Sequence, residues 1–300
     1  MAGKRIKRPG IFLIFVIVIM SAIYGSVAST AGEQAIDRPF FTRNDARPLV
    51  IAHRGGGGSA PENTLVAFKR AADSGVDVVE IDVRGTSDGA IVVMHDAAVE
   101  RTTDGGGRVG EMTLDRIKKL DAGYRWTPDG GATFPFRGGA VRVPTLDEVF
   151  AAFPRMKFNI EPKQETPSII KPLCRIIGER KMTDKIVVAS FTQSILDEFR
   201  RECPDVATSA SPLEVSKFLA MYKAGLTKSY TPPMQALQVP EYVGVTKGFV
   251  EAARERNLRV HVWTVNETAD MQRLLEAGVD GIMTDYPDRL LTILRQTAPK

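Results

Sequence analysis

Eight short apolar runs, spread over residues 48–284 and mostly separated by amphipathic helical windows, constrain this chain more than any other feature. They are Pro48–His53, Asp77–Val83, Lys157–Glu161, Ile186–Ser190, Val206–Ser209, Ala236–Val239, Leu258–Thr264 and Val279–Thr284. Runs this short and this apolar fit strands covered on both faces. Helical periodicity occupies Leu65–Ser74, Ser168–Glu179, Gln193–Glu202, Leu213–Tyr222, Lys247–Arg256 and Thr268–Ala277. Repeated strand–helix alternation predicts an α/β chain folded as a (β/α)8 parallel barrel, which about 250 residues can complete as one domain. The barrel is expected over residues 46–296. The rhythm fails over Ala97–Thr145, a stretch rich in Gly, Thr and aromatics with one helix-like piece at Leu114–Leu120. It reads as an insertion after the second strand, over one end of the barrel, and loops of that length in a compact domain are usually functional.

The net charge of +4 is misleading until it is located. Lys4, Arg5, Lys7 and Arg8 precede every acidic residue, so residues 31–300 carry 36 basic and 36 acidic side chains. A neutral body without a basic run excludes a nucleic-acid partner. The basic cluster leads into the apolar run Ile11–Met20 and then into the largely small residues 21–31. That is a secretory pattern, with candidate cleavage sites after Ala28 and Ala31. The same segment, uncharged over residues 11–28, reaches the minimum length of an uncleaved membrane anchor. In both cases the body is exported, to the periplasm or the extracellular side, and residues 1–31 stand apart from the barrel. Cys174 and Cys203 show no metal-site spacing; two buried thiols are expected, although an exported chain could pair them.

Active sites of such barrels lie at the carboxyl ends of the strands. His53 and Arg54 end the first run, Glu80 and Asp82 alternate in the second, and Glu161 and Lys163 end the third. Residues two apart on a strand face the same side, so Glu80 and Asp82 point together and Glu161 can meet them from the next strand. Three converging carboxylates cannot all stay ionised without a cation. An all-oxygen set predicts one divalent ion, Ca²⁺ or Mg²⁺; the competing reading is ion pairing with Lys or Arg. His95 follows the Asp88-Gly89 turn, where a hairpin can fold back over the mouth. Two imidazoles beside a metal, with Arg54 and Lys163 nearby, suit phosphodiester cleavage by proton transfer. His261 reads as core or pocket lining. Gly55–Gly58 lacks the ending of a nucleotide loop but could let the backbone approach a phosphate.

HRGGGGSAPENT at 53–64, EIDVRGTSDGAIVVMHD at 80–96, ERTTDGGG at 100–107, VPTLDEV at 143–149, NIEPK at 159–163, VWTVN at 262–266 and GVDGIMTDYPD at 278–288 follow in order. Together they resemble the glycerophosphodiester phosphodiesterase family over residues 49–290. The resemblance implies a TIM barrel with an insertion after the second strand, a divalent cation on Glu80, Asp82 and Glu161, and His53 and His95 as the acid/base pair. It also implies phosphate binding by Arg54 and Lys163, and a pocket lined by Trp263. Pro162 departs from the family pattern and could alter the reach of Lys163. Glu62 is either part of the site or a partner of the following helix start.

The expected activity is hydrolysis of small glycerophosphodiesters to glycerol 3-phosphate and an alcohol. Tyr124, Trp126, Phe134 and Phe136 in the insertion motivate a second reading, a lysophospholipid substrate; the competing account is that these rings pack the insertion onto the barrel. A third reading, a catalytically dead binding barrel, requires a broken site, and His53, His95, Glu80, Asp82 and Glu161 are all present.

Overall fold

Hydrogen bonds between parallel strands set the architecture of the computed structural model, which describes residues 24–26, 28–42 and 47–297. The strands are β1 (Leu49–Ala52), β2 (Val78–Gly85), β3 (Ile91–Val93), β4 (Lys157–Pro162), β5 (Ile186–Val188), β6 (Ala207–Thr208), β7 (Ala236–Pro240), β8 (Arg259–Trp263) and β9 (Gly281–Thr284). All except β3 run parallel in the order β6-β5-β4-β2-β1-β9-β8-β7. The seam between β6 and β7 is closed by a parallel bridge, Ser209 to Ala236. There Ala210 N–H donates to Ala236 O and Gln235 N–H to Thr208 O, each at 2.9 Å. The eight strands expected from the sequence therefore form the (β/α)8 barrel, and β3 folds back antiparallel on β2.

Two helices escape the sequence reading. Leu146–Ala152 supplies the crossover into β4; at seven residues it is too short to show a period, yet Thr145 and Glu148 cap it reciprocally. Pro287–Thr297 follows β9 and buries Leu290, Leu291 and Ile293. The insertion holds a short helix, Leu114–Lys118, and its own apolar cluster around Val99, Val109, Met112, Ile117 and Val143.

The barrel interior is divided along its axis. Toward the amino ends of the strands Leu49, Ile51, Val78, Val187 and Ala207 pack with Phe40, which is 1% exposed. Phe40 arrives on the segment 32–42, fastened to turns at that same end: Gly32 N–H donates to Lys228 O and Ala35 N–H to Arg256 O, each at 2.9 Å. Above this plug the interior turns polar, with Asn159 donating to Gln238 at 3.2 Å and buried His261 3.2 Å from the same amide. His261 is thus core, one of the two places the sequence left open for it.

Lys4, Arg5, Lys7, Arg8 and the run Ile11–Met20 lie outside the described residues. Among the described residues no helix is long and apolar enough to cross a membrane. The expectation of two free thiols is corrected. Cys174, on the helix Ile170–Glu179, and Cys203, which ends the helix Gln193–Glu202, form a disulfide across a Cα–Cα distance of 5.8 Å. Sequence spacing carries no information on that distance, which the packing of the two helices sets.

Candidate active site

Pairing between β2 and β4 places Glu80 opposite Asn159 and Asp82 opposite Glu161. Side chains of one parity then bring Glu80, Asp82 and Glu161 to the mouth, with one oxygen of each within 4.8 Å of the others. Local structure fixes each of them. Arg54 adopts a left-handed conformation (φ 52°) that turns its N–H onto Glu80 Oε2 at 2.7 Å. Asn63, also left-handed (φ 58°), donates Nδ2 to Asp82 Oδ2 at 2.9 Å and accepts from Asp82 N–H at 3.3 Å. Backbone held in that region at non-glycine residues is costly and concentrates at functional sites.

Lys163 Nζ lies 2.7 Å from Glu161 and 3.2 Å from Asp82, and Arg54 Nε lies 3.5 Å from Asp82. Lys163 thus makes the ion pairs that competed with a metal reading, but two cations do not neutralise three carboxylates. Asp82 stays below the ordinary carboxylate range because Lys163 and Arg54 outweigh its burial. Burial carries Glu161 upward despite Lys163. Burial first, and then the charge of Asp82, push Glu80 up to about 8. A buried carboxyl raised by its own burial and by a neighbouring carboxylate, in an all-oxygen set, fits a hard divalent ion. Pro162 does not shorten the reach of Lys163. Its missing N–H falls on the side of β5, whose pairing with β4 stops at Ile160, while Lys163 N–H continues the ladder to Val83 O at 3.0 Å.

Each histidine is backed by its own carboxylate. His53 Nδ1 lies 2.8 Å from Asp285 Oδ1, and Asp285 also accepts from Asn266 Nδ2 at 2.8 Å. His95 Nδ1 lies 2.7 Å from Asp96 Oδ1. With both Nδ1 atoms engaged, Nε2 is the atom left to each ring for proton exchange; that of His53 is 4.0 Å from Glu80. The pulls on the rings differ. Burial lowers His53, but Asp285 and Glu80 overcome it and the net shift is upward. At His95 burial outweighs Asp82 and Asp96, so that ring is shifted downward.

His53, Arg54, Glu80, His95, Glu161, Lys163 and Trp263 line one cavity of about 390 Å³. Its far wall is apolar, built from Phe191, Val215, Leu219, Val243 and Trp263, with Phe191 edge-on to Trp263 at 5.5 Å. Tyr124, Trp126, Phe134 and Phe136 lie elsewhere. Trp126 donates to Gly57 O at 3.0 Å and packs edge-on to Phe136, while Arg137 stacks on Phe134 and Tyr124. They hold the insertion to the first loop. Gly55–Gly58 does not line the cavity either: a Cβ on Gly55 would meet Phe68 at 2.6 Å and one on Gly58 would meet Tyr286 at 2.5 Å, so close packing explains these two, and a left-handed φ of 87° explains Gly56. Sequence reasoning missed Asp285, Asp96, Asn63 and Asn266. Asp285, one residue beyond β9, carried the same signal as His53, a polar residue just past a strand end.

The comparisons with known proteins agree with this geometry. The model of the glycerophosphoryl diester phosphodiesterase family matches residues 53–289. A glycerophosphodiester phosphodiesterase of Caldanaerobacter subterraneus is 36% identical over 258 residues, covering 83% of this chain and 99% of its own. Mouse lysophospholipase D GDPD1 is 28% identical, covering 81% of this chain and 85% of its own. An Oleispira antarctica phosphodiesterase, solved with the product sn-glycerol-3-phosphate, superposes with a TM-score of 0.67 at 25% identity, covering 83% of this chain and 97% of that one. The chain belongs to the glycerophosphoryl diester phosphodiesterase family and is a phosphoric diester hydrolase.

Proposed function

We propose that the enzyme cleaves glycerophosphodiesters to sn-glycerol 3-phosphate and an alcohol, with a divalent cation, Ca²⁺ or Mg²⁺, on Glu80, Asp82 and Glu161. The observation that carries this reading is one cavity lined by two carboxylate-backed imidazoles, two cations and the carboxylates Glu80 and Glu161, with the third carboxylate, Asp82, buried directly behind them. The product held by the Oleispira relative has the same chemistry. When bound, the cation supplies charge neutralisation at the phosphoryl oxygens. Arg54 and Lys163, which lie beside these carboxylates, bind the phosphodiester and offset the charge that develops on it. One imidazole accepts the proton of the nucleophile at Nε2, and the other delivers a proton from Nε2 to the leaving alkoxide. Asp285 and Asp96 accept from Nδ1–H of the two rings, which leaves Nε2 bare on the neutral ring that acts as base and protonated on the imidazolium that acts as acid. The nucleophile is water or the substrate's own free hydroxyl, the latter giving a cyclic phosphate that can be trapped.

The test is release of glycerol 3-phosphate from glycerophosphocholine, with EDTA and then Ca²⁺ or Mg²⁺ added back. Release restored by metal and abolished by His53→Ala is expected. Release that survives EDTA, or unchanged turnover in the variant, contradicts the reading. A second substrate class has its own observation. The apolar far wall opens onto a rim where Phe191 and Tyr242 are 58% and 88% exposed, suited to an acyl chain on the leaving group. Cleavage of lysophosphatidylcholine in preference to glycerophosphocholine would select it, and silence on both would favour a non-catalytic barrel. We also propose export, by a leader in residues 1–31 that is either cleaved or retained as a membrane tether. The Cys174–Cys203 disulfide supports an oxidising compartment. N-terminal sequencing of the fractionated protein tests it, and a full-length cytosolic chain contradicts it.

A further inference from the structure

The insertion motif ERTTDGGG contributes no side chain to the cavity, yet Arg101 within it touches both halves of the site's support. Its Nε donates to Asp96 Oδ2 at 2.5 Å, its Nη1 to Glu62 Oε2 at 2.7 Å and its Nη2 to Glu62 Oε1 at 2.6 Å. The other oxygen of Asp96 holds His95 Nδ1 at 2.7 Å, and Glu62 Oε1 also accepts from Arg54 Nη1 at 2.9 Å. His95 and Arg54 come from different loops, one after β3 and one after β1. The continuous chain His95–Asp96–Arg101–Glu62–Arg54 therefore fixes an acid/base residue relative to a phosphate ligand through one guanidinium. We propose that Arg101 is a positioning residue, which sets the tautomer of His95 and its spacing from Arg54 without touching substrate.

The chemistry of the side chain supports this. Three N–H groups in one rigid plane span two carboxylates, which a lysine ammonium on a flexible stem cannot reproduce. Asp96 and Glu62 stay firmly ionised, Asp96 at about 2, so Asp96 is a permanent acceptor for His95 Nδ1–H. Arg101 is itself held at a fixed height. The next residues bond back to the hairpin and the insertion core, Thr102 to Met94 Sδ at 3.6 Å and Thr103 Oγ1 to Val99 O at 2.8 Å. Glu62, which the sequence left between site and helix start, belongs to this relay.

The catalytic consequence rests on the diesterase reading, but the ring itself can be observed without turnover. The chain has three histidines, so ¹⁵N-histidine spectra of the full protein resolve His95. In the wild type it is expected as the Nδ1–H tautomer, and Arg101→Ala and Arg101→Lys convert it to a mixture of tautomers. With glycerophosphocholine and the divalent cation, Arg101→Ala is expected to lose about 10²-fold in kcat with KM within a few-fold, the scale of a misplaced catalytic group. Arg101→Lys recovers little of this, while millimolar guanidinium added to Arg101→Ala restores a measurable part. In a His95→Ala background the effect of Arg101→Ala shrinks at least tenfold. Unchanged His95 resonances in Arg101→Ala overturn the proposal whatever the substrate. It is equally overturned by full activity in Arg101→Lys, by an undiminished loss in the His95→Ala background, or by a loss that tracks unfolding and is not rescued by guanidinium.

Discussion

Replacing Glu80 by Gln should stabilise the metal-free protein while destroying its activity. Glu80 is 3% exposed and its pKa is pushed from an ordinary 4.5 to about 8, first by burial and then by Asp82. A pKa raised in the native state means that the native protein binds more protons than the unfolded chain between those values, so stability falls as pH rises through the window. At pH 7 the accumulated loss is roughly 2.5 pKa units, about 3 kcal/mol, and at pH 5 it is under about 1 kcal/mol. Gln keeps an acceptor for Arg54 N–H and removes the titration. With an unfolding entropy of about 2.1 cal/mol/K per residue over the barrel, 3 kcal/mol corresponds to about 6 °C in Tm. Thermal unfolding in EDTA at pH 5, 7 and 8 checks this: Glu80→Gln should lie above the wild type by a gap that widens with pH. Added Ca²⁺ should then raise the wild type and leave the variant nearly unmoved. A variant no more stable at pH 7, or a gap independent of pH, would refute the placement of an uncompensated carboxyl at this position.

Three further outcomes are expected. The disulfide closes a loop of sequence separation 29, for which chain entropy gives about 3–4 kcal/mol; Cys203→Ser should lower Tm by about 6 °C, and a change under about 1 °C contradicts it. Asp285→Asn should cut kcat by about 10²–10⁴-fold with the circular dichroism spectrum unchanged, because His53 loses the charged acceptor 2.8 Å from Nδ1 that fixes its tautomer; turnover within about threefold of wild type would show that the ring is held by other means. Phe40→Ala should cost about 3–5 kcal/mol of stability in denaturant titration, yet leave kcat/KM at 25 °C unchanged because the plug lies at the end away from the mouth.

What could be read from the sequence follows from which interactions are local. Parallel strands covered on both faces appear as unbroken apolar runs, so all eight barrel strands were legible, and acids interrupting one of them, at Glu80 and Asp82, stood out against that background. Parity then sufficed to converge Glu161 on them. The helix Leu146–Ala152 was hidden by its length, although the capping pair Thr145 and Glu148 was there to be read. The roles of Asn266 and Arg101, and the pairing of Asp285 with His53, were hidden for another reason. Each acts on a residue 19 to 232 positions away or through a second side chain, and no period or spacing encodes such a partner. The disulfide belongs with these, since the approach of Cys174 to Cys203 depends on how two helices pack.

The seating of Phe40 at the amino ends of the strands also fixes the direction in which the chain enters the barrel. Segment 32–42 is tied to the turns around Lys228 and Arg256, at the pole opposite the opening flanked by Phe191 and Tyr242. Whatever is joined ahead of Gly32, whether a surface attachment, a fused protein or a resin-bound linker, leaves from the closed pole and points the opening outward into solution. Coupling through the rim beside Tyr242 would instead turn the opening against its support.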